Sequence, residues 1–295
     1  MITYGHEKYI RKAIEGVLMQ ECNFEVELIL ANDCSPDQTD EVIQEILLNH
    51  PKASWIKYFK HEKNTGMMPN FIDALKKCKG KYVALCEGDD YWTDPFKLQK
   101  QVDFLEANPD YVLCFHQVNI LKPDGEIVDD FITKVPDNYK TIETLARLGN
   151  YIHTPSVVFR NIINDYPFEF KNSPIGDFFL YMMLAQHGKL KYIDEKMSVY
   201  RYGVGVFSGN SSLIMAKSNL TLFTCLLSYL KDEKIKKIIF ERQLFSVMVL
   251  EKIIENQYES FFISNHIFFK TIKFIEDNHR NPSKILKKII TKLLT

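Results

Sequence analysis

Glu87-Gly88-Asp89-Asp90 places three carboxylates within four residues. Acids this close repel one another when ionised. The run therefore suits a site where something positive sits among them, most often a hard divalent cation holding a phosphate. It follows Lys81-Tyr82-Val83-Ala84-Leu85-Cys86, a short apolar stretch that reads as a fully buried parallel strand, and it leads straight into Tyr91-Trp92. The same acids also fit a solvated turn that caps the next helix, since Asp94-Pro95 is a good N-cap and N1 pair. Asp33 ends another apolar run, Val26-Glu27-Leu28-Ile29-Leu30-Ala31-Asn32. Asp177 follows Gly176 at the start of an apolar helical segment, where a carboxylate is also an ordinary N-terminal charge.

The elements that position these acids alternate. Residues 6–20 have the apolar spacing of an amphipathic helix, and the run ending at Ala31 is a strand. Ser35-Pro36-Asp37-Gln38 carries a capping-box pattern that predicts the next helix start. Ile56-Lys57-Tyr58-Phe59 is a third strand, residues 69–78 a helix, and a further helix runs from Pro95. Strands are predicted over 111–121, 152–160 and 198–201, with a helix over 177–186 before the last of them. This alternation predicts an open α/β sheet, largely parallel, whose ligands bind beyond the carboxyl ends of the strands. Asp33 and the 87–90 run both lie at such ends. After a glycine-containing loop over 203–209 the pattern is helical only, giving a division into 1–210 and a helical extension over 211–295.

A chain of 295 residues with 46% apolar and 25% charged content is an ordinary globular protein with a sizeable core. Its net charge of -1 gives no bulk electrostatic argument for nucleic acid. Six scattered cysteines without a Cys-x-x-Cys pair suit a reduced, cytoplasmic setting, and no signal peptide is expected before Met1-Ile2-Thr3-Tyr4. The Leu-rich stretch 213–230 is interrupted by Lys217, Ser218 and Asn219, so a buried or amphipathic helix is expected there and not a membrane span. Residues 283–295 put Ile285, Leu286, Ile289 and Leu293 on one face against several lysines. Such a helix can lie on an anionic membrane surface at the inner face of the cytoplasmic membrane, or pack on its own domain.

Thr3-Tyr4-Gly5-His6-Glu7, Ala31-Asn32-Asp33-Cys34-Ser35-Pro36-Asp37, Asn64-Thr65-Gly66, Glu87-Gly88-Asp89-Asp90, Gly176-Asp177 and Tyr200-Arg201 occur in this order. Together they resemble family 2 glycosyltransferases of the GT-A fold, over roughly residues 2 to 210, most of all the bacterial enzymes that build capsule, O-antigen or related surface glycans. The resemblance implies a Rossmann-like, mostly parallel central sheet flanked by helices. It also implies inverting transfer of a sugar from a nucleoside-diphosphate donor, by family habit a UDP-sugar, to a glycan or lipid-linked acceptor. Thr3, Tyr4, Glu7 and Asp33 would then line the nucleobase pocket. Asn64, Gly88 and Arg201 would belong to the donor site, Glu87 would lie near the ribose, and Trp92 with Tyr91 would form a wall under the sugar. Either Asp89 or Asp90 would bind Mn²⁺ or Mg²⁺, and Asp177 would be the general base. The 203–209 loop would close over the donor.

The chain departs from the pattern in places. Gly203 stands where the family often has a histidine two residues after Tyr-Arg, and Pro69 replaces a basic residue common in that segment. The first strand is also short. His116 and His153 read as structural residues first. A sugar nucleotidyltransferase needs a basic glycine-rich loop after its first strand, and a dinucleotide dehydrogenase needs Gly-x-Gly-x-x-Gly there; neither is present. The rival from another class is a non-catalytic nucleotide-sugar-binding or scaffold protein on the same fold.

Overall fold

The computed structural model describes residues 1–205 and 211–262. Contacts divide the chain into two units, Met1–Ser246 and Val247–Thr295. The first unit opens with β1 (Ile2–Thr3), α1 (Ile10–Leu18), β2 (Leu28–Asn32), α2 (Thr39–Asn49) and β3 (Ile56–Lys60). Strands β1, β2 and β3 form a parallel sheet, with β2 in the middle and all five of its residues buried. Right-handed crossover through a helix is what parallel neighbours demand, and α1 and α2 supply it.

α1 buries Ile10, Ile14, Val17 and Leu18 at helical spacing. It begins later than residue 6 because the preceding backbone is engaged elsewhere. His6 N donates to Thr39 Oγ1 at 2.9 Å and Glu7 N to Asp37 Oδ2 at 3.0 Å. The capping box expected at Ser35 does not form. Ser35 Oγ donates to Asn32 Oδ1 and accepts from Gly5 N, so α2 starts at Thr39 without a side-chain cap.

The chain continues with α3 (Met67–Lys77), β4 (Tyr82–Ala84), β5 (Tyr91–Trp92), α4 (Lys97–Ala107), β6 (Tyr111–Leu121) and β7 (Ile127–Asp129). Then come α5 (Ile142–Leu148), β8 (Val158–Arg160), α6 (Phe168–Lys171), α7 (Gly176–Leu184) and β9 (Lys189–Arg201). Strands β4 to β9 make a second, mixed sheet ordered β4-β8-β6-β9-β5, with β7 on β6. Within it β6 and β9 are parallel, whereas β4 runs antiparallel to β8. The strand before Glu87 is thus neither fully buried nor parallel: Val83 is buried, while Tyr82 and Ala84 are half-buried. It meets the first sheet where Gly88 N donates to Ile2 O at 3.0 Å. The stretch 152–157 is not strand, because Pro155 sits in a 3-10 turn over Thr154–Ser156.

Two large clusters, with a small third one around Ile29, Ala31 and Ala74, form the core of the described residues. One gathers α1, β2 and α4 around Ile14, Leu30, Trp92 and Leu105. Gly16 makes this packing possible: a Cβ there would meet Trp92 N at 2.8 Å and Trp92 O at 2.9 Å, so only glycine lets α1 lie directly on β5. The other cluster surrounds α7, which is buried on every side from Phe178 to Leu184, and includes Leu222, Phe223 and Leu226 of α8 (Ser212–Tyr229). The last described helix is α9 (Glu233–Phe262), whose Ile235, Ile238 and Ile239 join the same cluster. Among the described residues no helix is long and apolar enough to cross a membrane. All six cysteines are free thiols. The basic helix expected over 283–295, and residues 206–209 of the glycine-containing loop, lie outside the described residues.

Lys97 is an unusual core member. Its ammonium is fully buried, 4.2 Å from the Trp92 ring centre, and donates to Gln101 Oε1 at 2.8 Å. Gln101 in turn donates to Cys114 O and Ser156 O, tying α4 to β6 and to the turn before β8. Burial pulls Lys97 down to about 7. An unfolded lysine keeps its proton to about pH 10.4, so the folded state lets go first and stability rises with pH between those values. Below about pH 7 the full cost of the buried charge is present. Lys97→Met is expected to flatten this rise. Urea unfolding at about pH 6 and about pH 9 reads it, and an unchanged slope in the variant would rule out Lys97 as its source.

Candidate active site

The site begins where the first sheet ends. Asp33 N donates to Thr3 O at 3.0 Å, which continues the pairing of β1 with β2 one residue past the strands. The Asp33 carboxylate is buried and takes three donors from the segment before α3. Oδ1 accepts from Thr65 N (2.8 Å) and Thr65 Oγ1 (2.7 Å), and Oδ2 accepts from Gly66 N (2.8 Å). Asn64 Oδ1 also accepts from Gly66 N, at 2.9 Å. On the other side Glu7 Oε2 accepts from Gln38 N, so the Tyr4–Glu7 turn is laced to the 35–39 turn. Tyr4 is 47% exposed at the rim and carries no packing duty.

Gly88 connects this half to the acids. A Cβ on Gly88 would lie 2.7 Å from both Thr3 Oγ1 and His6 Nδ1, two atoms that are themselves 3.1 Å apart. Gly88→Ala is therefore expected to displace the 87–90 turn and to destabilise the protein by roughly 1–3 kcal/mol, as overpacking does. Urea unfolding checks the loss; an alanine accepted at no cost would show that Thr3 and His6 yield freely.

Glu87, Asp89 and Asp90 each put a carboxylate oxygen within 4.8 Å of the others. Asp90 Oδ1 accepts from Arg201 N at 2.7 Å, but Asp90 Oδ2 is buried with no partner. Burial, then the charges of Asp89 and Asp177, push Glu87 up to about 8. Burial, then Asp89 and Glu87, likewise hold Asp90 well above the usual carboxylate range. A set of hard oxygen donors with one buried oxygen unsatisfied fits a divalent cation of the Mg²⁺ or Mn²⁺ type, whose charge would reverse these shifts. Arg201 clamps the turn from outside: its Nε donates to Asp89 O at 2.9 Å while the guanidinium lies 4.3 Å from the Tyr9 ring centre.

Asp177 opens α7. Its Oδ2 accepts from Asn150 Nδ2 at 2.9 Å and from Thr154 Oγ1 at 3.5 Å, and its Oδ1 from Phe178 N at 2.7 Å. Burial raises its proton affinity, and these three donors oppose the rise. The influence of Asp177 on Glu87 means that the two carboxyls share one electrostatic environment. Packing joins them to Asp33 as well. Asp33 holds Thr65 and Gly66, α3 follows at Met67, and a Cβ on Gly176 would lie 2.6 Å from Met68 Sδ.

Most of the residues singled out from the sequence thus border one region: Thr3, Tyr4, Glu7, Asp33, Asn64, Glu87, Gly88, Asp89, Asp90, Asp177 and Arg201. Trp92 is a correction. It is 4% exposed, its Nε1 donates to Pro155 O at 2.9 Å, and Lys97 stacks on it, so it belongs to the core and forms no wall for a sugar. Tyr91 is equally buried beneath Lys12. Sequence reasoning missed Asn150 and Tyr9, which orient Asp177 and Arg201; Thr154, which it placed only on the expected acceptor side, donates to Asp177. None carried a local signal, since each is recruited across the fold.

A nucleotide-type α/β fold whose acids gather at the strand ends is the class that this architecture defines. The family model for glycosyl transferase family 2 matches residues 1–166, and the chain belongs to that family. An uncharacterized protein of Mycobacterium tuberculosis is 37% identical over 200 residues, which is 68% of this chain and 57% of that protein. The chain therefore spans little more than half the length of such relatives. S. aureus TarS 1–349, solved in complex with UDP-GlcNAc, superposes with a TM-score of 0.57 at 15% identity, covering 91% of this chain and 75% of TarS. The mannosyltransferase PcManGT of Pyrobaculum calidifontis, in complex with GDP-Man and Mn²⁺, gives 0.61 at 14% identity, covering 88% and 74%. These likenesses establish the GT-A fold, with its parallel first sheet and mixed second sheet.

Proposed function

We propose that the chain is an inverting, cation-dependent glycosyltransferase. It takes a sugar from a nucleoside-diphosphate donor, a UDP-sugar first, and attaches it to a hydroxyl of a glycan or lipid-linked acceptor during synthesis of a surface polysaccharide. The observation that carries the reading is the acid triad, half-buried at Glu87 and buried at Asp89 and Asp90, with its unsatisfied Asp90 Oδ2 and with Asp177 near enough to act on Glu87. The ligands in TarS and PcManGT, a UDP-sugar in one and a GDP-sugar with Mn²⁺ in the other, support the donor class and the ion. Donor chemistry is assigned to residues 1–210, with residues 211–295 as an extension.

In this reading Thr3, Tyr4, Glu7 and Asn64 surround the nucleotide. Asp33, three of whose lone-pair positions are already used within the protein, would meet the base with the one that remains. Glu87 approaches the ribose, Gly88 lets the acid turn pack on Thr3 and His6 at the donor site, and Asp89 with Asp90 hold Mn²⁺ or Mg²⁺, fixed from behind by Arg201. When bound, that ion supplies positive charge to a poor leaving group. Asp177 takes the proton of the acceptor hydroxyl as its oxygen forms the bond to the anomeric carbon. The bond to the diphosphate breaks on the opposite face and takes its electron pair with it, so configuration inverts.

Incubating the protein with Mn²⁺ and a panel of UDP- and GDP-sugars, with and without EDTA, tests the reading. Cation-dependent release of the nucleoside diphosphate is expected, with UDP-sugars most active. No release from any donor, together with no donor-induced rise in melting temperature, would overturn it.

A further inference from the structure

Past Asp177, the side chains of α7 are apolar and buried except for one hydroxyl, that of Tyr181. A buried phenol normally finds a partner for its O–H, and one left alone costs about 1–3 kcal/mol. Tyr181 is fully buried, and its hydroxyl has no hydrogen-bond partner. Phenylalanine would fill the same space without that cost, as Phe178 and Phe179 do beside it. The place of Tyr181 in the helix supplies a reason for the hydroxyl. It stands one turn after Asp177, so the two share a face of α7. Helical side chains lean toward the N-terminus, which carries the ring back over the first turn. Burial and then the charge of Asp177 push the phenol well above its ordinary value; the Thr154 hydroxyl opposes the rise and Glu87 adds to it. Asp177 and Glu87 are thus the titratable groups that act on Tyr181, and the phenol keeps its proton as a neutral donor.

Thr154 is the link between the two. Its Oγ1 donates to Asp177 Oδ2, yet that bond is long at 3.5 Å, whereas Asn150 Nδ2 and Phe178 N hold the same carboxylate at 2.9 and 2.7 Å. A threonine hydroxyl that donates to a carboxylate still has lone pairs with which to accept. Tyr181 has a donor and, in the resting protein, nothing that takes it. Catalytic hydrogen bonds are often long or poorly aligned before substrate binds, and tighten only in the reacting complex. We propose that Tyr181 is a positioning residue for Asp177: as the acceptor hydroxyl approaches, Tyr181 Oη donates to Thr154 Oγ1, which turns the Thr154 proton firmly onto Asp177 Oδ2. The row aims the carboxylate without passing a proton along its length, and the acceptor's proton stays on Asp177. The inference rests on the glycosyltransferase reading and adds to it the residue that aligns the base.

The test is release of UDP from UDP-glucose, UDP-galactose and UDP-N-acetylglucosamine by the full chain with Mn²⁺, water serving as acceptor. On the donor hydrolysed fastest, Tyr181→Phe and Thr154→Val should each lower kcat about tenfold while KM for the donor stays put, the mark of an interaction made only in the transition state. The double variant should fall no further than either single one, because the two hydroxyls act as a unit. The melting temperature of Tyr181→Phe should equal or exceed the parent's, since the hydroxyl removed is unpaired at rest. Parent-like kcat in Tyr181→Phe, additive losses in the double variant, or a drop in melting temperature that accompanies the slower rate overturns the positioning role. Any of these, beside a turnover that Asp177→Asn abolishes, leaves the transferase reading standing. No UDP release by the parent from any donor removes that reading and the inference with it.

Discussion

Asp177→Asn is expected to lower sugar transfer about 10²–10⁴-fold, the range that a positioned general base supplies, while donor affinity stays close to that of the parent protein. The substitution keeps size and one acceptor oxygen, so Phe178 N or Asn150 Nδ2 retains a partner, but the amide cannot take the acceptor's proton. Burial raises the proton affinity of Asp177 above that of a free aspartate, which makes it a stronger base once ionised. The active form is the deprotonated one, so the parent's rate should fall as pH drops through a point above the ordinary carboxylate range near 3.9, and the variant should lack that limb. Transfer rates against pH at saturating donor, beside calorimetric donor binding, separate the two effects. Parent-like turnover by the asparagine variant would remove Asp177 from the chemistry.

Asp89→Ala is the second large effect. Losing even an outer partner of a metal ligand costs about 10–100-fold in metal affinity, so losing a direct oxygen ligand should exceed about 100-fold and abolish the Mn²⁺-dependent part of UDP binding. The protein without metal should not lose stability, because the substitution also relieves repulsion that pushes Glu87 and Asp90 upward. Titrating Mn²⁺ into parent and variant with UDP present reads the first quantity, and melting temperature in EDTA reads the second. Cation-dependent UDP binding that survives the change would place the ion elsewhere.

How much of this was legible in the amino-acid order depended on whether the cause was local. The 87–90 acids and Asp33 announced themselves by type and by position after apolar runs, and the strand cores of β2, β3 and β6 followed from apolar runs. Pairing direction did not, since an apolar run such as 82–84 reads alike whether its neighbour is parallel or antiparallel. Most of β9 escaped notice because its middle is exposed and charged over Asp194 to Lys196, which masks the alternation expected of a strand. The cap pattern at Ser35 misled because the hydroxyl had a competing offer from Asn32 and Gly5, which lie on other elements. Trp92 misled for the opposite reason: an aromatic next to a functional motif can face either way, and Pro155 O and Lys97, distant in the chain or on the next helix, hold its indole inward. Asn150 and Thr154 approach Asp177 from 27 and 23 residues away, beyond any window of local reading.

The grip of Asp33 on Thr65 and Gly66, followed by the packing of Met68 on Gly176, runs unbroken from the first sheet to the mouth of α7. Its alignment is laid down once, when the chain folds, so donor arrival has no need to assemble it anew at each turnover. Oxidation of the buried Met68 thioether to a sulfoxide would therefore push a polar oxygen against Gly176 and disturb the start of α7 without touching any acid.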